Sequence, residues 1–181
     1  MKNNFGVSPY ALLSFPRAGS HYLQNLLLAR LGITADRFHW LDQIENKDNI
    51  IISVIRNPID SIASNISVVS NFGEIPGSVG SHVSMFIDSM NEISDNADVI
   101  VDFEELISDP DGVAKKLSEA LGLRLFDNGH DISVKRESLR SAFIPSAKHV
   151  EGYEEAKQSA ADTPSIVNAI NKYNMLLAKC I

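Results

Sequence analysis

The sequence contains a single cysteine, Cys180, and no long apolar run. One cysteine excludes an internal disulfide and a cysteine-based zinc cluster, so a reducing compartment is the simpler expectation. No segment approaches the roughly 20 apolar residues of a membrane span. The first residues also lack the basic segment and apolar core of an export signal. We therefore expect a cytoplasmic protein that does not associate with membranes.

Positive charge is also scarce, since 16 Lys and Arg face 23 Asp and Glu and leave a formal net charge of -7. A protein that coats nucleic acid gains most of its affinity by neutralising phosphates with a broad basic face. Nucleic acid is therefore not an expected partner. One anionic ligand is still compatible with this charge, because a few cations in a cleft act over roughly 8 Å at physiological salt.

Short apolar runs alternate with segments of helical periodicity. The runs from Tyr10 to Phe15, from Asn49 to Ile55 and from Asp98 to Phe103 are typical of strands in a parallel sheet. The predicted helices cover Ser20 to Leu31, Ile59 to Val69, His82 to Ile93, Pro110 to Leu121 and Pro164 to Lys179, and the stretches from Asn71 to Gly80 and from Leu123 to Ala147 are predicted loops. This alternation predicts an α/β fold over residues 1–181, a three-layer domain with a central, mostly parallel β-sheet flanked by helices, of the P-loop nucleotide-binding type.

The loop from Pro16 to Ser20 joins the first predicted strand to the first predicted helix, with Ser20 as the expected N-cap. Ligands of open parallel sheets bind at the carboxyl ends of strands, and a helix N-terminus favours an anion. Arg17 adds a permanent cation, and Ser20 and His21 add side-chain donors. The segment lacks the G-x-x-x-x-G-K-[ST] spacing, which argues against an ATP-hydrolysing motor. An ordinary strand-to-helix turn is the alternative interpretation.

The second polar segment follows the second predicted strand. Arg56 lies at the end of this strand, and Ser64 lies two turns into the next helix. Both side chains can therefore contact one phosphate group near the same cleft. The alternatives are a surface salt bridge for Arg56 and a solvated helix hydroxyl for Ser64.

Taken together, the segments FPRAGSHY (Phe15–Tyr22) and RNPIDSIAS (Arg56–Ser64) resemble two motifs of the sulfotransferases that use 3′-phosphoadenosine 5′-phosphosulfate (PAPS). Those motifs read Y-P-K-S-G-[ST]-x-W and R-[ND]-P-x-D-x-x-x-S, in the same order. Asp102–Leu106 with Ser108–Pro110 is a weaker third match, to Y-E-D-L-x-x-D-P. The resemblance covers Tyr10 to Leu123. It implies in-line transfer of a sulfuryl group from PAPS to a hydroxyl or amine of a small-molecule, glycan or peptide acceptor.

The resemblance also implies roles for individual residues. It implies that the 5′-phosphosulfate is contacted by Arg17, Ala18, Gly19, Ser20 and His21, and that the 3′-phosphate is held by Arg56 and Ser64. Phe103 falls where the family often has a tyrosine near the adenine, with a buried core phenylalanine as the alternative. Arg17 stands where a lysine is common in the family. Its cation can still stabilise the charge that develops during transfer.

The acceptor must lose a proton as it attacks, and His or Glu is the usual general base. His39 is the first candidate, because it lies between the two motifs, roughly where the family places its catalytic histidine. Asp42 and Glu45 are neighbours that could orient or replace it, and a partly buried structural histidine is the alternative. His82 is the second candidate. No metal is expected, because no histidines and carboxylates have the spacing of a metal site.

Two other functions are compatible with the same fold. A nucleotide or small-molecule kinase with a degenerate phosphate loop would require ATP and magnesium. A non-catalytic nucleotide-binding protein would bind the donor without turnover. The identity of the acceptor and the oligomeric state are not specified by the sequence.

Overall fold

The computed structural model describes residues 8–71, 77–126 and 151–181. A four-stranded sheet lies at its centre. The strands are β1 (Tyr10–Leu13), β2 (Asp36–Phe38), β3 (Ile50–Ile55) and β4 (Val99–Asp102). They lie in the order β2-β1-β3-β4, and each neighbouring pair is parallel. The predicted α/β fold with a parallel sheet is confirmed.

Helices connect the strands and cover both faces of the sheet. They are α1 (Ser20–Leu26), which continues as a π-helical turn (Leu27–Leu31), α2 (Pro58–Asn71), α3 (Val79–Asn96), α4 (Phe103–Ser108), α5 (Pro110–Leu121), α6 (Tyr153–Ala161) and α7 (Ile166–Leu177). A 3₁₀ turn covers Leu41–Gln43. In the part of the chain that the structure describes, no helix combines the length and apolarity needed to span a bilayer.

Two apolar cores lie on opposite faces of the sheet, because successive strand side chains point to opposite sides. Leu12 of β1 packs with the buried leucines of α1 and α5 on one face. Leu13 packs on the other face, with buried residues of α2, α3 and α7. On that face the rings of Phe15 and Phe86 meet edge to face, with their centroids 5.1 Å apart. The predicted three layers are thus present.

Three elements were not predicted, and each has a local reason. β2 is three residues long, and Asp36 and Arg37 are exposed, so no alternation of apolar residues marks it. α4 begins at Phe103, where the predicted third strand ended, and it is too short to show helical periodicity in the sequence. α6 has a polar surface and buries only Tyr153, Ala156 and Ala160.

The boundaries of the predicted elements also changed. The N-cap of α1 is Gly19, with φ 106°, and not Ser20. α3 begins at Val79, where the Ser78 hydroxyl accepts a hydrogen bond from the Ser81 N–H, earlier than the predicted start at His82. Residues 72–76 and 127–147 of the two predicted loops lie outside the described residues.

A carboxylate of the second motif joins α6 to α2. The Tyr153 hydroxyl donates to Asp60 Oδ1 over 2.8 Å, and Lys157 Nζ lies 2.8 Å from the same oxygen. Burial acts to raise the pKa of Asp60, but the hydrogen bonds from Lys157 and Tyr153 outweigh it and lower that pKa below its ordinary value. Burial and the bond to Asp60 raise the pKa of Tyr153 to about 12. This carboxylate is therefore stabilised in its charged form.

We predict that Tyr153→Phe lowers the free energy of unfolding by about 1.5–3 kcal/mol near pH 7, since it removes a hydrogen bond to a charged group. The pKa of Asp60 is depressed in the folded state, so this stabilisation exists above the unfolded pKa of about 3.9 and is lost as the pH falls through the folded value. Urea denaturation of wild type and Tyr153→Phe, in steps from pH 7 down to about pH 2, gives the difference in their free energies of unfolding at each pH. A difference that stays constant over the whole range would mean that the hydroxyl does not act through the charged carboxylate.

Candidate active site

Each strand is followed at its carboxyl end by a residue that the sequence analysis selected. β1 leads to Arg17, β2 to His39, β3 to Arg56 and β4 to Phe103. Because all four strands are parallel, these ends meet at one edge of the sheet. The chain passes from β1 to β2 on one side and then to β3 on the other. Ligand-binding crevices of α/β proteins form at such a switch point, here between β1 and β3.

The loop after β1 is built from left-handed backbone. Arg17 has φ 69°, the one positive value at a non-glycine residue of the described ranges, and Gly19 has φ 106°. The Ala18 N–H donates to the Phe15 carbonyl over 3.1 Å, and the Ala18 side chain is buried. Among the described residues no acceptor takes the N–H of Gly19 or Ser20. Gly19 and Ser20 therefore each keep a backbone donor for a ligand.

Two arginines and a serine link the two motif segments. Arg17 Nε donates to Ser64 Oγ over 3.3 Å, and Arg56 Nη1 donates to the Arg17 carbonyl over 3.3 Å. Ser64 is buried, and so it is not a solvated helix hydroxyl. No carboxylate of the described ranges forms a salt bridge with Arg17 or Arg56. Burial lowers the pKa of Arg17, and the charge of Arg56 lowers it further. Arg56 does act on the Asp60 carboxylate through its charge, but neither arginine is paired with a carboxylate of the described ranges. Two adjacent unpaired cations favour an anion.

Phe103 completes this side of the site. The Arg56 guanidinium lies over its ring, 4.6 Å from the centroid. Gly19 packs directly on the same ring, since an added Cβ would lie 2.4 Å from Phe103 Cδ2. Phe103 is half-buried and packs against the core that contains Leu12. The three matched segments therefore meet at Gly19, Arg56 and Phe103.

His39 lies at the end of β2, on the other side of β1 from Arg56. Its Nδ1 is 3.0 Å from the Ser14 carbonyl oxygen. A carbonyl only accepts, so Nδ1 carries the proton and Nε2 of the neutral ring has a lone pair. Asp42 and Glu45 are exposed, and the group that orients His39 is this backbone carbonyl instead. The half-buried ring is thus held in the tautomer that a general base requires.

His82, the second candidate base, does not belong to this group. It is 5% exposed and lies between α3 and α2, with Nδ1 3.3 Å from Asn65 Nδ2. Burial lowers its pKa. His82 is thus part of the contact between α3 and α2 and not of the group of side chains that directly follow the strands, and its position argues against it as the base.

His21, at the start of α1, lies among several cations. Burial lowers the pKa of His21, and the charges of Arg37, Arg17 and His39 lower it further. Arg37 was not selected by the sequence analysis. The only signal for it was its position two residues before His39, on a strand that was too short to predict. Across the described residues, no three His, Cys, Asp or Glu side chains lie together as metal ligands would.

Comparisons with known proteins agree with this architecture at the level of the fold. No family model matches the sequence, and no curated protein matches it significantly. A solved structure, mouse sulfotransferase SULT7A1 complexed with PAP, matches with a TM-score of 0.51 and 15% sequence identity. The match covers 94% of this chain and 85% of that chain. The chain therefore shares the three-layer α/β fold of a sulfotransferase.

Proposed function

We propose that this protein is a sulfotransferase that uses PAPS as its sulfuryl donor. The observation that carries the proposal is the contact between the two motif segments. Arg17 reaches Ser64 across 47 residues of sequence, and Arg56 reaches the Arg17 carbonyl across 39. Adjacent parallel strands bring the two segments to one edge of the sheet, and there the residues that contact each other are the motif residues themselves. The shared fold with a sulfotransferase supports the same conclusion.

The proposed donor site follows from the positions of the cations. The 5′-phosphosulfate would bind at the Gly19 and Ser20 N–H groups, with Arg17 beside it and the side chains of Ser20 and His21 nearby. The 3′-phosphate would bind Arg56 and the hydroxyl of Ser64. Arginine is suited to this task, because its planar fork matches two phosphate oxygens at once.

Phe103 would act mainly through Arg56. A guanidinium over an aromatic ring gains about 0.5–2 kcal/mol, and here it is held where the 3′-phosphate would lie. Stacking of Phe103 on the adenine stays a prediction. Ala18 would contribute by shaping the turn, since its N–H is already bonded to Phe15.

The proposed reaction is an in-line transfer. An acceptor oxygen or nitrogen attacks the sulfur, and the bond between the sulfur and the 5′-phosphate oxygen breaks. 3′-phosphoadenosine 5′-phosphate (PAP) leaves with the bonding electron pair, and the acceptor proton passes to His39 Nε2. Arg17 stabilises the charge that develops on the transferred group and on the leaving oxygen. His39 and Arg56 lie on opposite sides of β1, so acceptor and nucleotide can approach the Arg17 loop from two directions.

The same site argues against a kinase that depends on ATP. The loop has no Lys-Ser or Lys-Thr pair to hold a triphosphate and magnesium. A non-catalytic nucleotide-binding protein is the remaining alternative, and the measurements below separate it from an enzyme. A small-molecule, glycan or peptide acceptor and a cytoplasmic location belong to the proposal.

We predict that calorimetric titration shows tighter binding of PAP than of adenosine 5′-phosphate, because the latter lacks the 3′-phosphate. Arg56→Ala should weaken PAP binding by about tenfold or more, since a charge-assisted contact contributes roughly 1.5–3 kcal/mol. Lys115→Ala is the matched control, because it removes one positive charge from an exposed position of α5. Equal affinity for the two nucleotides in wild type would contradict the proposed donor site.

We predict that Gly19→Ala reduces PAP binding by more than about tenfold, since its Cβ must displace the Phe103 ring and with it Arg56. Gly122→Ala is the control: Gly122 also has positive φ, 62°, but no atom lies within 4 Å of an added Cβ. Both variants lose stability from the left-handed backbone, by about 1–2 kcal/mol. If Gly122→Ala lowered PAP affinity as much as Gly19→Ala, general destabilisation would explain the loss.

We predict that His39→Gln retains the PAP affinity of wild type and lowers turnover by about 10²–10⁴, as expected for loss of a general base. The assay follows labelled sulfuryl transfer from PAPS to a panel of phenols, sugars and amines. Unchanged turnover in His39→Gln would exclude His39 as the base. Tight PAP binding without transfer to any panel member, in wild type, would favour the non-catalytic alternative.

A further inference from the structure

Arg37 lies on the acceptor side of the site and has no role in the proposed donor site. It is the central residue of the edge strand β2, in register with Leu12 of β1. Its neighbour Phe38 packs in the core that contains Leu13. Alternation along the strand therefore directs Arg37 to the opposite face, which is the face covered by α1. His39 follows two residues later, at the end of the same strand.

Arg37 also belongs, with Arg17, to a cluster of cations. The charges of both arginines act on the ring of His21, which lies at the start of α1, the helix on the face to which Arg37 is directed. No carboxylate in residues 8–71, 77–126 or 151–181 forms a salt bridge with Arg37 or Arg17. The whole chain has a net charge of -7, so carboxylates are plentiful elsewhere. This local excess of positive charge repels itself and favours an anionic partner.

The nucleotide alone does not account for this cluster. Arg56 and Ser64 stand on the β3 side of β1, and Arg37 stands on the β2 side. Two strand spacings, about 10 Å, separate β2 from β3. Arg37 is therefore poorly placed for the 3′-phosphate and well placed for a molecule that approaches His39.

We infer that Arg37 binds an anionic group of the acceptor, a carboxylate, sulfate or phosphate, next to the hydroxyl or amine that loses its proton to His39. This inference rests on the proposed function, because it takes the β2 side of the site as the acceptor side. Arg37 then determines specificity. An anionic acceptor neutralises the cluster, whereas a neutral acceptor of the same shape leaves the guanidinium without its partner.

Inorganic sulfate tests this site directly when PAP already fills the donor site. The imidazole signals of His21 and His39 are followed by NMR in PAP-saturated protein during a sulfate titration, with chloride at equal ionic strength as the control. We expect a saturable shift with sulfate, and a dissociation constant about tenfold or more higher in Arg37→Ala. Arg37→Lys, which keeps the charge, should recover part of the affinity. Lys115→Ala should match wild type.

The outcomes separate this inference from the proposed function. If PAP itself does not bind, the proposed function fails and the acceptor inference fails with it. If PAP binds with wild-type affinity in Arg37→Ala and sulfate gives the same shift in that variant, only the acceptor inference is overturned. If Arg37→Ala loses PAP affinity as Arg56→Ala does, Arg37 belongs to the donor site and the inference is likewise overturned.

Discussion

The close packing of Gly19 on the ring of Phe103 is the constraint on which the rest of the site depends. An added Cβ would lie 2.4 Å from the ring, and the glycine also has φ 106°, so two independent requirements meet at one position. The ring in turn lies beneath the guanidinium of Arg56. Arg56 then bonds to the carbonyl of Arg17 in the same loop. Because Gly19 has no side chain, it allows the loop after β1 to lie close to the ends of β3 and β4.

The site concentrates positive charge in a protein that is acidic overall. Burial makes this concentration more costly, because water no longer screens the neighbouring guanidinium groups. Burial and the charge of Arg56 accordingly lower the pKa of Arg17. Arg17 also has strained, left-handed backbone, and strain of this kind is characteristic of functional sites.

Different residues of the second motif segment face the proposed site and stabilise the fold. Within RNPIDSIAS, Arg56 and Ser64 face the loop after β1, whereas Asp60 binds Tyr153 and Lys157 of α6. At the end of β4, the Asp102 carboxylate accepts a hydrogen bond from the Tyr173 hydroxyl of α7 and another from the Glu105 N–H, which caps α4. α6 therefore contacts the first turn of α2, and α7 contacts the end of β4. Changes in these contacts should act through stability, and changes at the arginines through binding.

The sequence by itself determined the parallel α/β fold and the residues at the ends of β1 and β3. The fold could be predicted because buried strands leave short apolar runs between segments of helical periodicity, and those of β3 and β4 are rich in β-branched residues. The roles of the residues at the strand ends stay predictions. β2, Arg37 and the bond from His39 to the Ser14 carbonyl could not be predicted in this way. A three-residue edge strand has no periodicity of its own and forms only because β1 offers it a partner. Only the tertiary structure sets the distances between segments that are far apart in sequence. Those distances determine which arginines lie close together, whether a carboxylate pairs with them, and which tautomer of His39 the Ser14 carbonyl stabilises.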